Sequence, residues 1–327
     1  MGRRGHEMGV LDGGKLAFVF PGQGSQAVGM GRDLAENFPI AADVFKEADE
    51  TLGRSISDLC FNGPEEELTR TINTQPALYV TSVAACEALR AKGCNPAICA
   101  GHSVGEYAAL YAAGAFSFEE GLRLVQERAR LMNSAAEDNP GAMSAILGLS
   151  PEQVEEVVIR AAGAGIVVPA NFNSPIQTVI SGESEAVKRA GEIASEMGAK
   201  RVVPLAVSGA FHSPLMQDAA AAMLEALRCA KIENLIVPVV ANYTAECEVE
   251  AEEIIVNLAK QITGSVRWVE SVNRMLDVGA EVFIELGSGS VIAGLIKRIA
   301  GDAVVYSVGD KASLEQALNY EWGKGRP

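Results

Sequence analysis

This 327-residue chain has few histidines, few basic residues and no long apolar run. It contains three histidines, and none of its six cysteines forms a Cys-x-x-Cys pair, so the ligand spacing of a zinc site is absent. No apolar run reaches the ~20 residues that a membrane-spanning helix needs. Basic residues are outnumbered 27 to 42, and the net charge of −15 argues against a nucleic-acid partner.

The remaining composition is that of a cytoplasmic α/β protein. Hydrophobic residues make up 48% of the chain, enough to bury a large core. Scattered cysteines are typical of a reducing compartment, where they pack as small apolar groups. Residues 1–15 are polar and glycine-rich, without the apolar core of a secretory signal, so we expect an extension, with Met8 as an alternative start.

Short apolar runs alternate with helical patterns along most of the chain. Residues 16–20, 97–100, 237–241, 282–286 and 304–308 are predicted strands, each followed by helical sequence. This alternation predicts an α/β fold with a mostly parallel sheet covered on both faces.

A different order occupies residues 140–207. Strands are predicted at 142–149, 166–171, 177–181 and 201–207, with helices at 151–162 and 183–197. This βαββαβ order is ferredoxin-like. We therefore expect a small unit over 140–207, inserted into a larger one formed by 16–139 and 208–327.

The pentapeptide Gly101-His102-Ser103-Val104-Gly105 lies where a predicted strand meets a helix. A Gly-x-Ser-x-Gly turn at such a junction exposes the serine as a nucleophile, and the helix that begins there favours a nearby anion. An ordinary strand-to-helix turn is the alternative, because glycine and serine are common.

A serine nucleophile needs a base. His6 lies in the polar extension, and the side chain of His102 should point away from its neighbour at a sharp turn. His212, just before a predicted helix, is the remaining candidate, and its alternative role is a helix-capping or core histidine.

The segment 21–26 (PGQGSQ) follows the first predicted strand. In serine acyl transfer two backbone N–H groups hold the oxyanion, and Val104 and Gln23 are the candidates. The alternative, a phosphate-binding loop, is disfavoured because the segment lacks the Lys-Ser/Thr ending and the third glycine of such loops.

Arg123, Arg128 and Arg130 fall in one predicted helix. From the sequence alone each is a solvated helix charge. One arginine directed into a pocket would recognise a carboxylate, which a plain esterase does not require.

Six motifs together resemble the malonyl-CoA:acyl carrier protein transacylase family and the acyltransferase domains of polyketide and fatty acid synthases. Their order and spacing agree from Leu16 to Val308. The motifs are FVFPGQGSQ (18–26), GHSVGEY (101–107), QERAR (126–130), AMSAILG (142–148), SGAFHS (208–213) and LAKQITGSVRW (258–268).

The resemblance implies an α/β-hydrolase-like large subdomain, a ferredoxin-like insert, and a site between them. It implies that Ser103 is acylated and that His212 is base and then acid, without a triad aspartate. Arg128 would bind the malonyl carboxylate, and the Gln23 and Val104 N–H groups would form the oxyanion hole. Gln261, His102 and Phe211 would be supporting residues.

The chain departs from the family pattern at two places and carries one specificity hint. Val104 replaces the commoner leucine, and residues 287–290 (GSGS) replace Gly-Pro-Gly-Lys. The first change should matter little, because a backbone N–H acts there. Phe211 before the histidine resembles the malonyl-type pattern.

The predicted reaction is ping-pong transfer of malonyl from malonyl-CoA to the phosphopantetheine thiol of holo acyl carrier protein, in fatty acid synthesis. It needs no metal or bound cofactor, and we expect a stand-alone monomer that binds no membrane. The alternatives are a related acyltransferase of polyketide or malonate metabolism, a serine esterase or thioesterase, and a non-catalytic carrier-binding subunit. Because the chain is acidic, carrier docking requires a local basic patch, for which the candidates are Lys188, Arg189, Lys200, Arg201, Lys297 and Arg298.

Overall fold

A computed structural model describes residues 16–319, so the predicted extension over 1–15 lies outside the described residues. The described part of the chain forms two β-sheets surrounded by helices. The strands, numbered along the chain, are β1 Leu16–Phe20, β2 Ile98–Gly101, β3 Ala142–Leu147, β4 Val167–Ser174, β5 Gln177–Gly182, β6 Arg201–Pro204, β7 Val239–Val240, β8 Cys247–Glu248, β9 Val282–Leu286 and β10 Val304–Val308.

The helices are short, with two exceptions of about 20 residues. They are α1 Arg32–Asn37, α2 Pro39–Leu52, α3 Ile56–Asn62, α4 Glu65–Thr69, α5 Thr71–Arg90, α6 Gly105–Ala112, α7 Phe118–Asp138, α8 Pro151–Ala161, α9 Ser184–Glu196, α10 Gln217–Cys229, α11 Ala251–Gln261, α12 Trp268–Asp277, α13 Val291–Ile299 and α14 Lys311–Leu318. Single turns of 3-10 helix cover Ala162–Ala164 and Pro214–Met216.

The large sheet has the strand order β10-β9-β1-β2-β7-β8 and is parallel except at its β7–β8 edge. Its central strand β1 is buried on both faces because every residue is apolar. Phe18 and Phe20 contribute to the larger hydrophobic core on one face, and Ala17 and Val19 to a second core on the other. Strand alternation explains this division, and helices cover both faces as predicted.

The small sheet is antiparallel, with the order β4-β5-β3-β6. Helices α8 and α9 share a separate core with it, which includes Val157, Ile180 and Ile193. Ser150 caps α8 in a reciprocal capping box with Gln153, which is why the helix begins where the sequence predicts. The ferredoxin-like βαββαβ order is confirmed.

The small sheet is fastened to the large unit beside α12. Phe172 N–H donates to the Val266 carbonyl at 2.9 Å, and Val266 N–H donates to the Ala170 carbonyl at 2.8 Å. These bonds extend β4 by a short parallel bridge to the segment before α12. The inserted strands are therefore held against the carboxyl end of the parallel sheet.

Several short elements were not predicted. Helices α1, α3 and α4 have five to seven residues, too few for a hydrophobic period to be visible. The strand predicted at 237–241 is reduced to Val239–Val240, and it pairs with the unpredicted β8.

The six cysteines differ in their burial. Cys60, Cys86 and Cys99 are buried as small apolar groups, but Cys229 is exposed. No helix within residues 16–319 is both long and apolar enough to cross a membrane.

Candidate active site

Ser103 lies at a strained turn between β2 and α6. Its backbone φ is 52°, a left-handed value that costs a non-glycine residue roughly 1–3 kcal/mol. The flanking glycines are required by space: a Cβ on Gly101 would lie 2.0 Å from the backbone of Gly105, and a Cβ on Gly105 would lie 2.4 Å from the Phe20 carbonyl oxygen. This is the geometry of a nucleophile elbow.

Asn242, at the end of β7, holds the strained turn in place. The Ser103 N–H donates to Asn242 Oδ1 at 2.7 Å, and Asn242 Nδ2 donates to the Gly101 carbonyl at 2.6 Å. Asn242 is fully buried, so water does not compete for these bonds. Because the Ser103 N–H is occupied, an oxyanion would need other donors.

His212 reaches Ser103 from far along the chain. The distance from Ser103 Oγ to His212 Nε2 is 2.8 Å, and His212 Nδ1 lies 2.7 Å from the backbone carbonyl of Gln261. A carbonyl can only accept, so Nδ1 carries the proton and Nε2 is free to accept the serine proton. The group that orients the imidazole is main chain rather than a carboxylate.

The imidazole of His212 is kept neutral. Burial, and then the positive charge of Arg128, lower the pKa of His212 to about 3. A neutral imidazole is the form that a general base requires.

Arg128 is buried in α7, unlike its neighbours on the same helix. Arg123 and Arg130 are exposed and pair with Glu119 and Glu127, so for these two the solvated-charge interpretation is correct. Only 1% of Arg128 is exposed, which contradicts that interpretation for this residue.

The partners of the Arg128 guanidinium are all uncharged. Nη1 donates to Gln75 Oε1 at 2.6 Å, and Nη2 donates to Gln261 Oε1 at 2.8 Å and to Ser103 Oγ at 3.2 Å. A buried cation next to the serine, with neutral partners, is suited to receive an anionic group.

Gln261, at the end of α11, connects these groups. Its Nε2 donates to the Ser103 carbonyl at 3.0 Å and to Glu106 Oε2 at 2.8 Å, while its Oε1 accepts from Arg128. The same Glu106 oxygen accepts from the Asn242 N–H at 3.1 Å. Glu106 thus anchors both residues that hold the Ser103 backbone.

Glu106 is itself fully buried. Desolvation raises the pKa of Glu106 to about 7, although its hydrogen bonds and the charge of Arg128 oppose the shift. Its Oε1 has no hydrogen-bond partner among the described residues.

The 21–26 loop and the residue after Ser103 supply two backbone N–H groups that have no hydrogen-bond partner within residues 16–319. Gly22 packs so closely on the turn that a Cβ there would lie 2.5 Å from the His102 carbonyl oxygen, which brings the 21–26 loop beside Ser103. Within residues 16–319 the N–H groups of Gln23 and Val104 donate no hydrogen bond. Both are available to a ligand, as oxyanion donors must be.

His102 and Phe211 are placed differently from the groups that surround Ser103 Oγ. His102 Nε2 lies 2.8 Å from Asn173 Oδ1 of β4, and its ring packs edge-on to Trp268 at 5.6 Å. It points away from the serine, as expected. Phe211 is buried in the larger core.

Three residues of this network were missed by sequence reasoning. Asn242 follows a predicted strand at the same sheet edge as the elbow. Polar residues at the carboxyl ends of parallel strands often belong to a binding site, so the sequence did contain a signal for Asn242. Gln75 and Glu106 are polar residues within apolar helices, a weaker signal. No cluster of three or more potential metal ligands occurs within residues 16–319.

A hydroxyl bonded to an imidazole at a strand–helix elbow, with free N–H groups beside it, is the arrangement of enzymes that carry an acyl group on serine. The comparisons with known proteins agree with this class. Residues 17–308 match the acyl transferase domain family.

Relatives that match 93% of the chain indicate which family within this class the chain belongs to. The chain is 45% identical over 305 residues to the malonyl CoA-acyl carrier protein transacylase of Bacillus subtilis, covering 93% of this chain and 96% of that one. The crystal structure of an acyl carrier protein S-malonyltransferase from Vibrio cholerae is 43% identical, with a TM-score of 0.90, over 93% of this chain and 99% of that one. A structure described as a type II PKS acyl carrier protein in complex with its malonyl-transacylase is 44% identical, with a TM-score of 0.91, over 93% of this chain and 99% of that one.

The chain belongs to the malonyl CoA-acyl carrier protein transacylase family. The resemblance drawn from the six motifs is confirmed, and so is the fold class of an α/β-hydrolase-like subdomain with a ferredoxin-like insert.

Replacing Asn242 by alanine tests the support of the elbow. We expect Asn242→Ala to lower the free energy of unfolding by about 1–3 kcal/mol, because buried polar groups of the turn lose their partner. Ser103 should also react more slowly with a sulfonyl fluoride. Urea unfolding and the inactivation rate measure the two effects. Asn37→Ala, at an exposed side-chain bond, is the control and should change stability by less than about 0.5 kcal/mol. An unchanged inactivation rate would remove Asn242 from the site.

The state of His212 can be measured directly. We expect its ring to stay neutral well below pH 6.5 in NMR of protein labelled with ¹⁵N-histidine, with His212→Gln used for assignment. In the unfolded chain a histidine binds a proton below pH ~6.5, whereas folded His212 binds one only near pH 3. The unfolded state therefore holds more protons between these values, and this residue makes stability rise with pH across that window. A titration midpoint near 6.5 would contradict the assignment.

Proposed function

We propose that the protein transfers a malonyl group from malonyl-CoA to the phosphopantetheine thiol of holo acyl carrier protein through a malonyl ester on Ser103, in fatty acid synthesis. The observation that carries the proposal is the buried Arg128 guanidinium, whose Nη2 lies 3.2 Å from Ser103 Oγ and whose partners are all uncharged. The malonyl carboxylate is two bonds from the carbonyl that the serine attacks, so both ends of the acyl group fit this spacing.

In the first half-reaction Ser103 Oγ attacks the thioester carbonyl and His212 Nε2 takes its proton. The N–H groups of Val104 and Gln23 receive the oxyanion, and one such donor is worth ~3 kcal/mol. When the tetrahedral intermediate collapses, the C–S bond breaks and His212 protonates the departing CoA thiolate.

The second half-reaction reverses these roles. The carrier thiol gives its proton to His212 and its sulfur attacks the malonyl ester. Collapse then breaks the C–O bond, and the proton returns to Ser103 Oγ. Gln261 supports both steps because its carbonyl orients His212 and its side chain orients Arg128.

The positive charge of Arg128 acts on both the malonyl carboxylate and His212. In a buried site its attraction for the malonyl carboxylate is weakly screened. The same charge disfavours protonation of His212 before the reaction begins. We assign supporting roles to His102, which ties the elbow to Asn173 of the small sheet, and to Phe211, which precedes the base.

We also propose the bounds of the subdomains, the compartment, the oligomeric state and the surface that docks the carrier. We place the inserted subdomain at 140–207, between 16–139 and 208–327, and expect a cytoplasmic monomer that needs no metal or bound cofactor. A relative solved with an acyl carrier protein supports a carrier as the second substrate. Among the six candidates for the docking patch, all exposed, only Arg189 forms ion pairs within residues 16–319, with Glu192 and Glu196, so the other five support the patch best.

Ser103→Ala tests the nucleophile. Without the hydroxyl no ester can form, so intact-mass measurement after incubation with malonyl-CoA should show no malonyl adduct on this variant and one on the wild type. Ser184→Ala, at an exposed serine, should form the adduct normally. A persistent adduct on Ser103→Ala would disprove the assignment.

Arg128→Ala tests the carboxylate clamp. In an equimolar mixture of malonyl-CoA and acetyl-CoA, we expect the adduct to shift from malonyl toward acetyl, since losing a buried charge-assisted contact costs roughly 1.5–3 kcal/mol. Mass spectrometry measures the ratio. Arg123→Ala changes an exposed arginine of the same helix and should leave the ratio unchanged. Full malonyl preference in Arg128→Ala would show that the clamp lies elsewhere.

A further inference from the structure

We propose that Gln75 is a specificity-determining residue, a neutral acceptor that orients Arg128 while leaving its positive charge for the acyl group's carboxylate. This inference rests on the proposed function and names a residue that sets its acyl selectivity.

Gln75 lies in the buried helix α5 and is 1% exposed. A buried amide is costly unless its polar atoms are paired. Its Oε1 accepts the 2.6 Å bond from Arg128 Nη1, while its Nε2 has only the sulfur of Met132 at 3.7 Å. The oxygen alone therefore has a strong partner, and that partner is the guanidinium.

A glutamate would fit this position with little structural change. It has the same length, keeps the acceptor, and loses only one weak N–H to sulfur contact. The guanidinium would then have a permanent carboxylate partner within the protein. Charged side chains are rarely fully buried without an opposite charge, so an uncharged partner for Arg128 needs an explanation. Our explanation is that the guanidinium is left for the carboxylate of the substrate.

The other amide partner of Arg128 cannot be changed in the same way. Gln261 Nε2 donates to the Ser103 carbonyl and to Glu106. A glutamate at 261 would place a second carboxylate against Glu106 and would lose the support of the elbow. Position 75 is thus the place where the charge next to Arg128 can be altered separately from the serine.

Glu106 is the buried carboxylate of this network, and Gln261 stands between it and Arg128. It is bonded to Gln261 and Asn242, and no hydrogen bond joins it to the guanidinium. A carboxylate at position 75 would make direct contact instead. Such a group competes with the substrate in two ways, because it neutralises the cation and repels the incoming anion.

The experiment compares acyl selectivity in Gln75→Glu, Gln75→Met and wild type. Each protein is mixed with equimolar malonyl-CoA and acetyl-CoA, and the initial rates of the two Ser103 adducts are followed by intact-mass measurement. We expect Gln75→Glu to lower the malonyl-to-acetyl ratio about tenfold or more, the equivalent of about 1.4 kcal/mol, while acetyl adduct still forms. Gln75→Met removes the acceptor without adding charge, so its rates should fall while malonyl remains preferred.

Gln126→Glu is the matched control, because it makes the same substitution on the outer part of α7, where the side chain accepts from Arg54. Its ratio should equal that of the wild type. Wild type without malonyl preference would overturn the proposed function itself. Wild type with malonyl preference, and Gln75→Glu with the same preference, would overturn only the role of Gln75. If Gln75→Glu does not fold, Gln75→Met decides: slower adduct formation with malonyl still preferred supports Gln75 as the uncharged acceptor for Arg128, and rates equal to those of the wild type, or a switch to acetyl, refute it.

Discussion

The site depends on the strained backbone of Ser103. Ser103 adopts a left-handed backbone conformation in a turn where glycines at 101 and 105 are sterically required. Such a conformation persists only when the surroundings determine it from several sides. Here the side chain of Asn242 holds the serine N–H and that of Gln261 holds its carbonyl. Both residues are bonded to Glu106, so one buried carboxylate supports the side chains that hold the N–H and the carbonyl of Ser103.

The buried guanidinium of Arg128 forms no ion pair within residues 16–319. Arg128 is bonded to two amides and a hydroxyl, and it lies close enough to His212 to oppose imidazole protonation. The buried carboxylates nearby are shifted in the opposite direction, since desolvation raises the pKa of Glu106 to about 7 and that of Glu248 to about 8. The pocket therefore favours the neutral forms of His212, Glu106 and Glu248, and Arg128 is its cation.

Much of this arrangement was accessible from the sequence. The apolar strand 16–20, the glycine-flanked serine and the βαββαβ order each follow from local chemistry, and the structure agrees with them. Elimination among three histidines was enough to select His212. Local rules failed where a role depends on distant contacts. The helical period places Arg128 on the apolar face of α7, with Val125 and Met132, so its burial follows from the sequence pattern. What the sequence does not show is that the guanidinium meets the amides of positions 75 and 261, which lie far away along the chain. Gln75 and Glu106 were missed for the same reason, whereas Asn242 could have been found from its position directly after a predicted strand.

The orienting partner of His212 is the backbone oxygen at position 261. A peptide carbonyl is present whichever amino acid occupies the position, so substitution alone does not delete this acceptor in the way that a catalytic aspartate can be deleted. It also does not titrate, and so it adds no ionisation of its own to the serine–histidine pair. The side chain at 261 is therefore available for another contact, and one residue orients His212 through its main chain and Arg128 through its amide.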